Sequence, residues 1–148
     1  MKKELMYRKF ANYYDPIYST KNYKTESEKV IKLIRKFKKT NDNKLLEAGC
    51  GSGKHIAYFK KHFLCTGIDV NDGILKIARK NITCATFKKA NMINFKLNEK
   101  FDVITCLFSA IGYVKTKNSL RKTIKNFYNH LKPGGVVIIE PWVTRSDY

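Results

Sequence analysis

The chain has 148 residues, 43% hydrophobic and 28% charged, which suits one globular domain with a real core and excludes a disordered tail. Thirty Lys plus Arg against twelve Asp plus Glu leave a formal charge of +18, a field that attracts nucleic acid or an anionic small substrate. There is no run of about 18 apolar residues and the start "MKKELMYRKF" has no apolar h-region, so a soluble, cytoplasmic protein without a membrane partner is expected.

From the N-terminus, "TESE" (Thr25 to Glu28) is a capping-box pattern, and Val30, Leu33, Ile34 and Phe37 follow at helical spacing. They predict a helix from about Lys24 to Lys39. "KLLEAG" reads as a short buried strand running into a glycine loop, and Ile56, Phe59 and Phe63 mark an amphipathic helix leaving it. "LCTGIDV" is a second strand ending at Asp69, with Asn71 or Asp72 capping a helix that carries Ile74, Leu75 and Ala78. "CATFKKAN" and "FDVITCLF" give a third and a fourth strand. Leu120, Ile124, Phe127 and Leu131 fall on one helix face, "KPGG" stops that helix, and "VVIIEPW" is a fifth strand. Strands alternating with helices and reading as continuous apolar runs predict a single α/β domain: a parallel sheet with helices on both faces.

Cys50, Cys65, Cys84 and Cys106 contain no CxxC pair, so free and mostly buried thiols are expected. His55 and His62 have no carboxylate or cysteine spaced for a metal and read as surface or packing residues; no metal site is expected. His130 falls at a helix end, where it faces the last carbonyls. The charge is spread along the whole chain, and Lys, Asn and Ile are abundant together, so compositional bias accounts for it as well as a polyanionic partner does.

Ligands of an open parallel sheet bind beyond the carboxyl ends of its strands. The unusual groups fall there: Glu47 to Gly53, Asp69, Asn91-Met92, "LFSAIGY", and Glu140-Pro141-Trp142. In the loop "EAGCGSGKH", His55 stands where a triphosphate loop needs Ser or Thr, which excludes that loop type; Lys54 stands where the dinucleotide fingerprint needs glycine, which disfavours NAD. Glycines at 49, 51 and 53 let backbone approach a ligand closely, and the acid Glu47 suits a cationic ligand better than a pyrophosphate. Asp69, twenty residues after Gly49, is spaced to accept from the hydroxyls of a ribose, with helix capping as its alternative.

On "LLEAGCGSG", "GIDVND", "KANM", "FDVITCLFS" and "LKPGGVVIIE" together, the chain resembles the class I S-adenosylmethionine-dependent methyltransferases, with their Rossmann-like fold. The resemblance implies S-adenosyl-L-methionine as cofactor, residues 1–40 as cap helices and 43–148 as the cofactor-binding core. It implies that Glu47, Gly49, Cys50, Gly51 and Gly53 face the methionine part, Asp69 and Val70 the ribose, and Asn91 and Met92 the adenine, with Leu107 beside the adenine or near the methionine. Asn91 stands where the family usually has Asp. "MYRKFANYYDPIY", "LFSAIGYVKT" and "GGVVIIEPW" resemble the nucleotide-sugar N,N-dimethyltransferase branch. That implies Tyr14, Tyr113 and Glu140 as catalytic residues, Tyr7 and Tyr18 as substrate contacts, and an amino sugar nucleotide as acceptor. The alternatives are RNA or another nucleic acid, against which "LFSA" counts because base methyltransferases carry an N-P-P-Y-like turn there, and a cofactor-binding but inactive module. The resembled fold continues beyond strand five with a helix and an antiparallel strand pair, so these C-terminal strands are expected to be missing, leaving one sheet edge open to a homodimer.

Overall fold

The computed structural model describes residues 20–141. Strands β1 (Lys44–Ala48), β2 (Leu64–Asp69), β3 (Ala85–Lys89), β4 (Phe101–Cys106) and β5 (Leu131–Ile139) form one sheet in the order β3-β2-β1-β4-β5. Every pairing is parallel, as expected. Helices α1 (Tyr23–Phe37), α2 (Ile56–Phe59), α3 (Asp72–Asn81) and α4 (Lys117–His130), with a 3-10 helix at Ala110–Val114, connect and cover the strands.

Successive strand residues point to opposite faces. Leu45 and Val103 accordingly join one core cluster with Ile34, Ile56, Phe59 and Leu75, while Leu46 and Ile104 join a second with Ile68, Phe101 and Phe127. Both sheet faces are thus covered. At the far end of the sheet, the fully buried Asp102 accepts from the Lys44 N–H at 2.9 Å and pairs with Lys132 Nζ at 3.2 Å, which ties the starts of β1, β4 and β5 together.

Several local expectations are corrected. The N-cap of α1 is Asn22, whose side chain accepts from the Thr25 N–H at 3.0 Å, so the helix begins before the capping-box pattern and Glu26 lies in its first turn. Its buried face is Ser27, Val30, Ile31 and Ile34, leaving Leu33 and Phe37 exposed. Helix α2 stops at Phe59, because the chain turns at once to bring the Leu64 N–H to the Asn43 carbonyl at 2.8 Å; Phe63 reaches the core from that turn. Helix α4 ends at His130, and Leu131 already pairs with Phe101 as the first residue of β5. "KPGG" is therefore a bulge within β5, between the pairs Phe101–Leu131 and Val103–Val136, and not a helix stop. On α4, Thr123 and Phe127 are buried, whereas Leu120 and Ile124 line an exposed groove with Arg121, Lys125 and Tyr128.

Three of the four cysteines are buried and all are free, but Cys84 is exposed. His130 meets its expectation: Nδ1 lies 2.9 Å from the Asn126 carbonyl, and Nε2 accepts from the Leu97 N–H at 3.1 Å, which makes Nδ1 the donor. No helix among the described residues is long and apolar enough to cross a membrane.

Candidate functional site

The strand order reverses direction between β1 and β4, so the crevice of this sheet opens where the loops after those two strands diverge. The first loop, residues 49–53, is shaped by its glycines. Gly49 has φ +72, and a Cβ on it would stand 2.7 Å from the Cβ of Ala110 in the loop after β4. Only a residue without a side chain lets the two loops touch here.

Asp69 fixes the same loop from the next strand. Its Oδ2 accepts from the Gly51 N–H and its Oδ1 from the Asn71 N–H, each at 2.9 Å. Burial pushes its carboxyl above the ordinary value, against the pull of the backbone donors at Asn71, Gly51 and Val70. The helix-capping role weighed for Asp69 falls to Asn71, whose side chain accepts from Gly73 and Ile74 N–H at the start of α3. Val70 is exposed beside it. The Cys50 thiol is buried, and burial, then the Glu47 and Asp69 carboxylates, push it well above its ordinary value; it is a packing group and not a nucleophile.

The buried charge at the head of the loop departs most from expectation. Glu47 is 2% exposed; its Oε1 lies 3.3 Å from His55 Nδ1, and its Oε2 is buried without a hydrogen-bond partner among the described residues. His55, expected at the surface or in simple packing, is 6% exposed and bridges two acids, because its Nε2 lies 3.2 Å from Glu26 Oε2. Tyr23 meets the imidazole edge-on and Phe59 stacks on it. Burial alone would discharge His55, but Glu47 first and Glu26 second outweigh it and raise its pKa. Burial likewise works against ionised Glu26, yet Lys21 at 2.9 Å and His55 hold its pKa below the ordinary value. An imidazolium between two carboxylates is the consistent charge state.

A pH dependence follows from the raised pKa. The bridge contributes its full stability below the unfolded histidine value of about 6.5 and loses it as pH rises through the higher folded value. Thermal unfolding of the wild type and His55→Gln should therefore differ most near pH 6, with the wild type more stable, and converge toward pH 9. A constant gap across that range would mean that the histidine contributes packing alone.

The other wall follows β4. Phe108 and Ser109 have φ of +50 and +59, two adjacent non-glycine residues in the left-handed region, at a cost of about 1 to 2 kcal/mol each. Glu140 Oε2 accepts from the Phe108 N–H at 2.7 Å, Ser109 Oγ donates to the Pro141 carbonyl at 3.4 Å, and Lys21 Nζ sits 3.6 Å from the centre of the Phe108 ring. Glu140 thus holds backbone at a strand end with one carboxylate oxygen. Tyr113, in the 3-10 helix, is about half exposed, and Leu107 is buried. Asn91 Oδ1 accepts from the Ile93 N–H at 2.9 Å, and the Met92 methyl lies 3.3 Å from where a Gly49 Cβ would stand.

The structure therefore brings Glu47, Gly49, Cys50, Gly51, Gly53, Asp69 and Met92 to one end of the sheet, with Leu107 and Glu140 on its β4 side. Tyr7, Tyr14, Tyr18 and Trp142 lie outside the described residues. His55, Glu26 and Lys21 were not legible as site residues, since Glu26 and His55 are 29 residues apart and no local pattern joins them. No cluster of metal-binding side chains exists among the described residues.

Comparison with known proteins agrees with this geometry. The chain is 36% identical over 135 residues to a dTDP-3-amino-3,4,6-trideoxy-alpha-D-glucopyranose N,N-dimethyltransferase of Streptomyces venezuelae, covering 89% of this chain and 56% of that protein. It is 33% identical to a dTDP-4-amino-2,3,4,6-tetradeoxy-D-glucose N,N-dimethyltransferase of Saccharopolyspora spinosa, covering 89% and 54%. The chain thus spans about half the length of these relatives. Among solved structures, Streptomyces venezuelae DesVI superposes with a TM-score of 0.86 at 34% identity, over 93% of this chain and 59% of that one. An amino pentose methyltransferase from Micromonospora echinaspora, CalS10, solved with S-adenosylmethionine bound, gives 0.85 at 30%, over 91% and 58%. The Rossmann-like methyltransferase fold expected from the sequence is therefore the fold observed. A family model described as a methyltransferase domain matches residues 45–135, the span from β1 to the bulge of β5 that builds both walls of the crevice, and the chain belongs to that family.

Proposed function

We propose that this chain is the cofactor-binding part of an S-adenosylmethionine-dependent methyltransferase whose acceptor is a small amine, an amino sugar nucleotide in its chemistry. The observation that carries the reading is the buried Glu47 Oε2 at the head of a glycine loop, which has no hydrogen-bond partner among the described residues: a carboxylate oxygen left without a donor in a protein interior is costly, and a ligand ammonium would satisfy it. The cofactor, when bound, supplies a methyl group on a positively charged sulfur.

The chain's own residues would bind and orient. Glu47 and the backbone of Gly49, Cys50, Gly51 and Gly53 hold the methionine end. Asp69, held by the Gly51 and Asn71 N–H groups, accepts from the ribose hydroxyls beside Val70. Asn91, Met92 and Leu107 line the adenine side, with the second lone pair of Asn91 Oδ1 open to an amino group. Glu140 uses the oxygen not bound to Phe108 to orient the acceptor amine or take its proton, and Tyr14 and Tyr113 shape the transfer pocket while Tyr7 and Tyr18 contact the sugar. A neutral amine held close and in line needs little other help, so orientation supplies most of the acceleration.

The names of the relatives support the acceptor class, and the charge of +18 suits a nucleotide diphosphate. A cytoplasmic location fits such a substrate. A homodimer through the outer edge of β5, the last strand of the described sheet, belongs to the same proposal. The acceptor is tested by offering methyl-labelled cofactor with an amino sugar nucleotide or with RNA. Label in the sugar nucleotide is expected, and label in RNA alone would overturn the acceptor assignment.

A further inference from the structure

The charged chain beneath the loop extends beyond the residues that would touch the cofactor. Glu47 is joined to His55, His55 to Glu26, Glu26 to Lys21, and Lys21 lies on the ring of Phe108 across the crevice. Glu47 is 2% exposed, its Oε1 lies 3.3 Å from His55 Nδ1, and its Oε2 has no hydrogen-bond partner among the described residues.

We propose that His55 is a positioning residue for the amino-acid end of the cofactor: held by Glu26, its ring engages Glu47 Oε1 and turns the carboxylate so that Oε2 receives the ligand's ammonium. This rests on the methyltransferase reading and adds to it the residues that determine recognition of the amino group. Both ring nitrogens act as donors, Nδ1 to Glu47 and Nε2 to Glu26, which fixes the ring in one plane with Phe59 stacked on it. The raised pKa of His55 agrees with that state.

Two ligands separate this role from a general loosening of the loop. S-adenosylhomocysteine carries the amino-acid end, while methylthioadenosine shares the adenosine and thioether but lacks it. By calorimetry, His55→Gln should weaken S-adenosylhomocysteine about tenfold, the worth of one charge-assisted hydrogen bond, and leave methylthioadenosine unchanged. Glu26→Gln, which touches neither ligand, should shift the same ratio in the same direction by a smaller factor. Equal weakening of both ligands, or no change for either, in the folded variants would overturn the role of His55 while leaving the cofactor site in place. Failure of the wild type to bind either ligand would instead remove the methyltransferase reading itself. If His55→Gln fails to fold, the Glu26→Gln ratio decides alone: an unchanged ratio contradicts the proposal.

Discussion

Asp69→Ala is expected to weaken S-adenosylhomocysteine binding by about two to four orders of magnitude, because two charge-assisted hydrogen bonds of roughly 1.5 to 3 kcal/mol each are at stake. The carboxylate has a double task. It carries the proposed ribose contacts, and it accepts from the Gly51 and Asn71 N–H groups, so its removal leaves two backbone donors without their acceptor and loosens the loop it should present to the ligand. Asp69→Asn separates the tasks, since the amide oxygen still accepts from one donor while the NH2 faces the other. Its affinity should fall between those of the wild type and Asp69→Ala, with a smaller drop in melting temperature. Equal affinity in all three proteins would remove Asp69 from the site.

Gly49→Val should be the most damaging single change in the loop, lowering stability by about 3 kcal/mol, the sum of left-handed backbone strain and overpacking. At φ +72 a β-branched residue is strained whatever the space, and the added Cβ meets Ala110 at 2.7 Å. Relief would require the loops after β1 and β4 to separate, which opens the switch point. Chemical denaturation measures the loss, and Ala110→Gly in the same chain should recover part of it by removing the clashing carbon. A Gly49→Val protein as stable as the wild type would mean that the two loops are not in contact.

Local patterns made the fold and the loop readable. The apolar runs "KLLEAG", "LCTGIDV" and "FDVITCLF" became three adjacent parallel strands, since residues buried on both faces of a sheet leave an uninterrupted apolar signature. Glycines 49, 51 and 53 announce their positive φ by identity, and Asp69 stands where the strand length put it. What failed was decided by competition or by distance. Asn22 displaced "TESE" as the cap of α1, and pairing of Leu131 with Phe101 turned "KPGG" from a helix stop into a bulge. His55 read as a surface or packing residue because Glu26 lies 29 residues away, and the left-handed turn at Phe108-Ser109 is held by Glu140, 32 residues onward. Neither relationship has a period or a spacing that a linear sequence displays.

The central claim is that the crevice between the β1 and β4 loops binds the methyl donor, and calorimetric titration of the wild-type chain with S-adenosylhomocysteine tests it most directly. The account predicts saturable binding of one ligand per chain, with a rise in melting temperature on ligand addition. A folded chain that releases no heat and keeps its melting temperature at saturating ligand would contradict it.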